Sequence, residues 1–374
     1  MEKSMLTFFS FFIFAINMPV PGEEKNRMQK EEVELQDDGP YVQYRGNELL
    51  VNYIMEGNGT KMLKTENFGL QQVNGVLLNV MTDIPGKSFQ VKLKKKLKIE
   101  KCEYRKGKKL LALSDIEGNF AALRKLLQFN QVIDEDFNWK FGNGHLVLIG
   151  DFFDRGQQVT EVLWLIYSLE EKAKAAGGYV HFILGNHEIM NLSGDLRYVQ
   201  QKYLDNAGLL SQKYEALYDE NSELGRWLRT KNIVEKIGDI LFVHGGISGN
   251  INSMNISIPE INIIARPYYA DSSFDYRDEK IAVIFGDSGP FWYRGYYDKN
   301  NPGIASQIDS TLFQFGVNHI ITGHTIVSTA VSVWYDGKLL DTDVPHTEGN
   351  SEALLIEGGK YYRVNAEGKK VLLM

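Results

Sequence analysis

The chain has 374 residues, 43% of them hydrophobic and 24% charged, which suits one large core with room for a smaller companion region. A formal net charge of −7 argues against nucleic acid as the main partner, because a phosphate backbone repels an acidic surface. The single cysteine, Cys102, excludes an intrachain disulfide framework and a cysteine-rich zinc site.

The first residues have the layout of an export signal. Lys3 sits in a short polar start, and Leu6 to Met18 is almost wholly apolar. That run is shorter than the roughly 20 residues a membrane span needs, and it fits the apolar core of a signal peptide over residues 1–20. The expectation is an exported chain, periplasmic or extracellular, cut between Asn17 and Glu24, with no stable membrane span after cutting. Residues 21–38 are charged and poor in large apolar side chains, and read as a linker.

Residues 39–105 carry the signals of short strands and form a small β region without catalytic groups. Leu49 to Ile54 is one strand, and Asn58-Gly59 marks a hairpin turn. Val91 to Ile99 alternates strictly, with Val91, Leu93, Leu97 and Ile99 on one face and Lys92, Lys94, Lys96 and Lys98 on the other. It reads as a strand whose lysine face is solvated and discourages edge pairing.

From residue 106 to 374 apolar strands alternate with helical stretches, which implies an α/β core. Strands are expected at Leu110–Leu113, Leu146–Ile149, Val180–Leu184, Ile240–Val243 and Ile320–Ile321. Helices are expected at Ala121–Phe129 and Val159–Ala175, and an aromatic-rich helical cap over about 195–231. A strand-rich tail with turns at Asp336-Gly337 and Gly358-Gly359 closes the chain.

Five of these strands end in polar, metal-capable residues. They are Asp115-Ile116-Glu117-Gly118-Asn119, Gly150-Asp151-Phe152-Phe153-Asp154-Arg155-Gly156, Gly185-Asn186-His187-Glu188, His244-Gly245-Gly246 and Gly323-His324-Thr325. Open α/β sheets place their sites at the carboxyl ends of strands, and glycine lets backbone approach closely there. Oxygen and imidazole donors without thiolate suit Mn²⁺, Fe, Zn²⁺ or Mg²⁺. More ligands than one ion needs imply a pair of divalent ions, the arrangement that serves phosphate ester hydrolysis. His145, His181 and His319 sit at or inside strands and read as structural, and His346 falls in a polar loop.

In this order the motifs resemble those of the calcineurin-like metallophosphoesterases, and Asp154-Arg155-Gly156 with Glu188 resembles the phosphoprotein-phosphatase branch and its bacterial relatives. The resemblance covers roughly Lys109 to Tyr335 and implies a four-layer α-β-β-α sandwich. It also implies a phosphatase that acts on a phosphorylated small molecule or phosphoprotein through a hydroxide activated by two metals, Mn²⁺ foremost. By that resemblance Asp151 bridges the ions, Asp115 and Glu117 hold the first, and Asn186, His244 and His324 hold the second. His187 is the general acid with Asp154 orienting its ring, and Arg155 grips the phosphate. Arg294, in the aromatic segment Phe291–Tyr296, is the candidate for a second arginine. That cluster could form a pocket wall for aryl or peptide leaving groups or pack as core.

One position departs from the pattern. The first motif usually reads Asp-x-His, and here Glu117 replaces the histidine. Two other functions stay open on these residues. One is hydrolysis of a nucleoside polyphosphate. The other is a catalytically silent metal-binding module, against which the intact Asp151, Asn186, His187, His244 and His324 argue.

Overall fold

The computed structural model describes residues 37–57, 59–273 and 276–374. The export signal, its cut site and almost all of the expected linker lie outside the described residues, as does Asn58 of the expected hairpin turn. Among the described residues no helix is long and apolar enough to cross a membrane.

Two six-stranded mixed sheets face each other. The first runs β17 (Lys370–Leu372), β16 (Lys360–Asn365), β15 (Glu352–Glu357), β7 (Lys109–Leu113), β8 (His145–Ile149) and β9 (Tyr179–Ile183). The second runs β13 (Ser332–Trp334), β14 (Leu339–Asp341), β12 (His319–Thr322), β11 (Ile240–Val243), β10 (Val234–Ile237) and β6 (Glu103–Tyr104). β7, β8 and β9 are parallel, as are β11, β12 and β14.

The apolar runs are continuous because both faces of these strands are covered. Leu110, Ala112, Val147 and Ile149 meet Ile240, Phe242, Ile321 and Leu340 between the sheets. Leu111, Leu113, Leu146, Leu148, Leu241 and Val243 face the outer helical layers. Helix α1 (Phe120–Phe129) and helix α2 (Val159–Ala175) follow β7 and β8, within a residue of where the periodicity puts them. The layers are the expected α-β-β-α sandwich.

Helix α3 (Asn186–Ser193) leaves β9 directly, and α4 (Gln201–Leu209) and α5 (Glu223–Leu228) lie in the stretch read as a cap. The N-terminal strands β1 (Asp38–Arg45), β2 (Glu48–Gly57) and β3 (Thr60–Gly69) form their own antiparallel sheet, and β4 (Leu77–Met81) pairs with β5 (Ser88–Lys92). β1 docks on the catalytic portion: the Trp164 indole donates to Pro40 O at 2.8 Å, Tyr44 N to Asn221 O at 2.8 Å, and the Tyr44 hydroxyl to Glu223 at 2.7 Å.

The alternation from Val91 to Ile99 misleads. The strand stops at Lys92, and residues 93–102 run on without regular structure. Lys94 is not on a solvated face, because its ammonium is buried against Glu170 of α2. An ion pair with a residue far along the chain outweighs the local pattern.

Candidate active site

All five strand ends open onto one edge of the sandwich. Among the described residues twelve non-glycine residues adopt a positive φ, and half of them are here: Asp115, Glu117, Asp151, Asp154, Arg155 and His324. Such backbone is costly for residues with a Cβ and persists where surrounding structure over-determines it, commonly at functional sites. Gly150 is where three motifs touch, since a Cβ there would lie 2.6 Å from Gly185 Cα and from His244 Nδ1.

Backbone bonds lock the first two loops together: Asp115 N donates to Gly150 O at 3.0 Å and Glu117 N to Asp151 O at 2.9 Å. Glu188, fully buried, ties the second loop to the third. Its carboxylate accepts from Asp151 N (2.9 Å), Phe152 N (2.7 Å) and Gly185 N (2.7 Å). His187 N, at the start of α3, donates to Asp151 Oδ1 at 2.9 Å, and His324 N donates to Asp115 Oδ2 at 3.1 Å.

The imidazoles are held in defined tautomers by their other nitrogen. His244 Nδ1 donates to Ile149 O at 2.7 Å, which leaves Nε2 facing Asn186 Oδ1 (3.0 Å) and Asp151 Oδ2 (3.1 Å). His187 Nδ1 meets Asp154 Oδ2 at 2.6 Å, and Nε2 points toward Asp151 Oδ2 at 3.8 Å. Asp154 is fixed in turn by the Asn191 amide (2.9 Å), and Asn191 by the Tyr214 hydroxyl (2.5 Å). Asn191 and Tyr214 were not foreseen, although Asn191 lies one helical turn after His187.

The arginines flank this group. Arg155 is half exposed, pairs with Glu117 and stacks over the Tyr198 ring at 5.3 Å. Arg294 Nη1 donates to His324 O at 2.5 Å and reaches Thr325 Oγ1 at 3.2 Å. Both line a cavity of about 490 Å³ with Asp115, Glu117, Asp151 and His187, walled by Tyr198 and Trp292. Thus every residue singled out from the motifs lies at this edge.

Electrostatics mark the edge as well. Burial opposes the charge on Asp151, but His244 and His187 outweigh it and hold the carboxyl far below its usual range. Burial, with Asp115 and Asp151 nearby, lifts Glu117 to about 8 against the pull of Arg155. Burial likewise opposes protonation of His187, yet Asp151 and Asp154 raise it to about 9. Burial and the neighbouring His244 drive His324 down to about 2, so its ring is neutral.

These residues fit divalent cations. Ligand atoms of Asp151, His244 and His324 lie within 4.8 Å of one another, and so do those of Glu117, Asp151 and His187. The Nε2 of His324 is buried with no hydrogen-bond partner, a lone pair awaiting an electrophile.

A two-sheet sandwich with an acid-imidazole edge and flanking arginines defines a metallophosphoesterase. The family model of calcineurin-like phosphoesterases matches residues 108–328, and the chain belongs to that family of metal-dependent enzymes. It is a phosphatase. The crystal structure of a cold-active protein-tyrosine phosphatase from a psychrophilic Shewanella superposes with a TM-score of 0.81 at 36% identity, over 91% of this chain and 100% of that one. Shewanella-like protein phosphatase 2 of Arabidopsis thaliana is 25% identical over 299 residues, 67% of this chain and 74% of that protein. A symmetrical bis(5'-nucleosyl)-tetraphosphatase of Legionella pneumophila (strain Lens) is 32% identical over only 139 residues, 37% of this chain and 44% of that protein.

Proposed function

We propose that the chain hydrolyses aryl phosphomonoesters, phosphotyrosine in proteins foremost, with two divalent ions, Mn²⁺ foremost, at the carboxyl edge of the strands. The observation that carries this reading is that Asp151 belongs to both metal-competent groups, so one carboxylate can serve two ions. Asp115 would hold the first ion with Asp151, in the cavity that Glu117 also lines, and Asn186, His244 and His324 the second. When bound, the ions supply Lewis-acid charge to the entering and leaving oxygens of an in-line displacement.

The remaining work falls to side chains on this edge. His187 keeps its Nδ1 proton on Asp154 and presents Nε2–H to the leaving oxygen, which needs that proton if it departs as a poor leaving group. A phosphate entering the cavity takes over the Arg155 guanidinium from Glu117, with bidentate geometry available. Arg294, braced on His324 O, lies ready on the other side.

Tyr198 and Trp292 give the cavity flat aromatic walls suited to an aryl group. The tyrosine phosphatase activity named for the Shewanella relative supports the same substrate class. Among the described residues the only lysine or arginine side chains lining the cavity are Arg155 and Arg294, too few for a polyphosphate chain.

The test is a substrate panel with metal-stripped protein before and after Mn²⁺ is restored. The expected result is no turnover without metal, and a kcat/KM for a phosphotyrosine peptide at least about tenfold above that for a phosphoserine peptide or a symmetrical dinucleoside tetraphosphate. A preference for the tetraphosphate refutes the aryl reading, and no turnover on any of the three favours a silent metal-binding module.

A further inference from the structure

Five strand ends build the site described so far, but a sixth opens onto the same edge. β14 runs parallel to β12 with Asp341 opposite Thr322, so its carboxyl end emerges beside that of β12. The residues that follow are stitched to two of the motifs. Thr342 N and Oγ1 both donate to Thr322 O, at 2.9 and 2.8 Å. Thr342 Oγ1 also lies 3.0 Å from Ser114 Oγ, next to Asp115. His346 Nε2 donates to Ser114 O at 3.1 Å.

This anchoring sets two side chains against the cavity that already holds Asp115, Glu117 and Asp151: Asp343 and His346, both about 4% exposed. Among the described residues nothing donates a hydrogen bond to the Asp343 carboxylate, whose own backbone N–H is turned to Asp341. Since Nε2 of His346 carries the proton, Nδ1 is a lone pair, and it too is buried without a partner. A buried carboxylate and a buried imidazole nitrogen without partners, both from residues lining this cavity, are costly unless a cation answers them. Glu117, meanwhile, already spends its carboxylate on Arg155.

We propose that Asp343 and His346 complete the ligand set of the first ion with Asp115 and Asp151, so that the imidazole missing from the first motif comes from the loop after β14. This rests on the two-ion reading above. Glu117 then keeps Arg155 in place. With both ions bound, Asp115, Glu117, Asp151 and Asp343 would all be ionised, and their four charges would balance two dications and leave Arg155 and Arg294 as the net attraction for phosphate.

The experiment is calorimetric titration of the metal-stripped full chain with Mn²⁺, with bound metal counted by elemental analysis and melting followed in chelator and in Mn²⁺. Wild type should bind two equivalents. Asp343→Asn and His346→Gln should each lose one equivalent, or weaken it by tenfold or more. In chelator Asp343→Asn should melt no lower than wild type, since one member of an acidic cluster is gone, while its rise on adding Mn²⁺ should shrink. Glu117→Gln should keep both equivalents. Two equivalents of wild-type affinity in both Asp343→Asn and His346→Gln overturn the proposal, as does loss of an ion from Glu117→Gln alone. If wild type binds fewer than two ions the two-ion reading itself fails, a result distinct from either.

Discussion

Two clusters of histidine and carboxylate sit at opposite ends of the same strands. Toward the amino ends of β8 and β9, His145 Nδ1 meets His181 Nε2 at 2.9 Å and His181 Nδ1 meets Glu235 at 2.7 Å. The other oxygen of Glu235 accepts from Asn232 at 2.8 Å. The cluster joins one sheet to the other, and both nitrogens of His181 and both oxygens of Glu235 are taken. At the carboxyl ends the residue types are the same, but His324 Nε2 and His346 Nδ1 have no partner. A closed network stabilises and specifies packing, whereas an open one keeps donor atoms free at the cost of stability. The contrast separates the two sets of histidines more sharply than burial does, because His181 is buried as deeply as His324 and His346.

The largest effect that tests this contrast is at His187. Replacing it by alanine should lower kcat by about 10²–10⁴-fold while bound metal is unchanged. The defect should shrink for phenols of low pKa, which leave without help. A uniform defect across leaving groups removes His187 from the acid role.

In the closed cluster the sign of the outcome reverses. Glu235→Gln should cost about 1–3 kcal/mol of unfolding free energy, by weakening a buried charge-assisted hydrogen bond, and should leave kcat/KM of the folded protein unchanged. Denaturant titration and steady-state kinetics on one preparation check both. Unchanged stability with altered kinetics would make the two clusters parts of one system.

The smallest effect concerns acid. Burial and the neighbouring His181 lower His145 from its ordinary value near 6.5 to about 4. Between those values the unfolded chain binds the proton more readily than the folded one. Stability therefore falls as pH drops from 6.5 to 4 and is flat above that window. The difference in unfolding free energy between wild type and His145→Gln should change by about 1 kcal/mol across it, a figure reduced because the ring is partly exposed and screened. A difference independent of pH would place the proton elsewhere.

Much of the site was legible because glycine punctuates it. Gly118, Gly150, Gly156, Gly185, Gly246 and Gly323 flag turns at which polar residues leave apolar strands, and those turns carry all the residues named from the five motifs. The loop after β14 has no such flag. Asp341-Thr342-Asp343 was not singled out and His346 reads as a member of a polar loop, yet all four are buried, with Thr342 and His346 bonded to Ser114 and Thr322 of distant strands. Tyr198 and Tyr214 were hidden for the same reason, since their roles come from neighbours brought by the fold. Five strands, and the two helices after β7 and β8, were legible as apolar runs and helical spacing because both faces of each strand are buried, whereas the helices between β11 and β12 were not read.

Residues 93–101 do more than connect. Burial alone would raise Glu170, but Lys231 and Lys94 hold it down to about 2, and the Trp227 indole donates to it at 3.0 Å. Lys231 also reaches Glu100 at 3.4 Å. One anion therefore fastens the connector, α2 and the segment after α5 at a single point. The connector cannot peel away without stranding a charge in a dry place, so the N-terminal strands and the sandwich should melt as one cooperative unit. A truncation that begins at Glu103 would keep β6 in its sheet yet inherit a carboxylate short of one cation and an indole short of its cover. Its instability would report on that lost anchorage and say nothing about the catalytic sheets themselves.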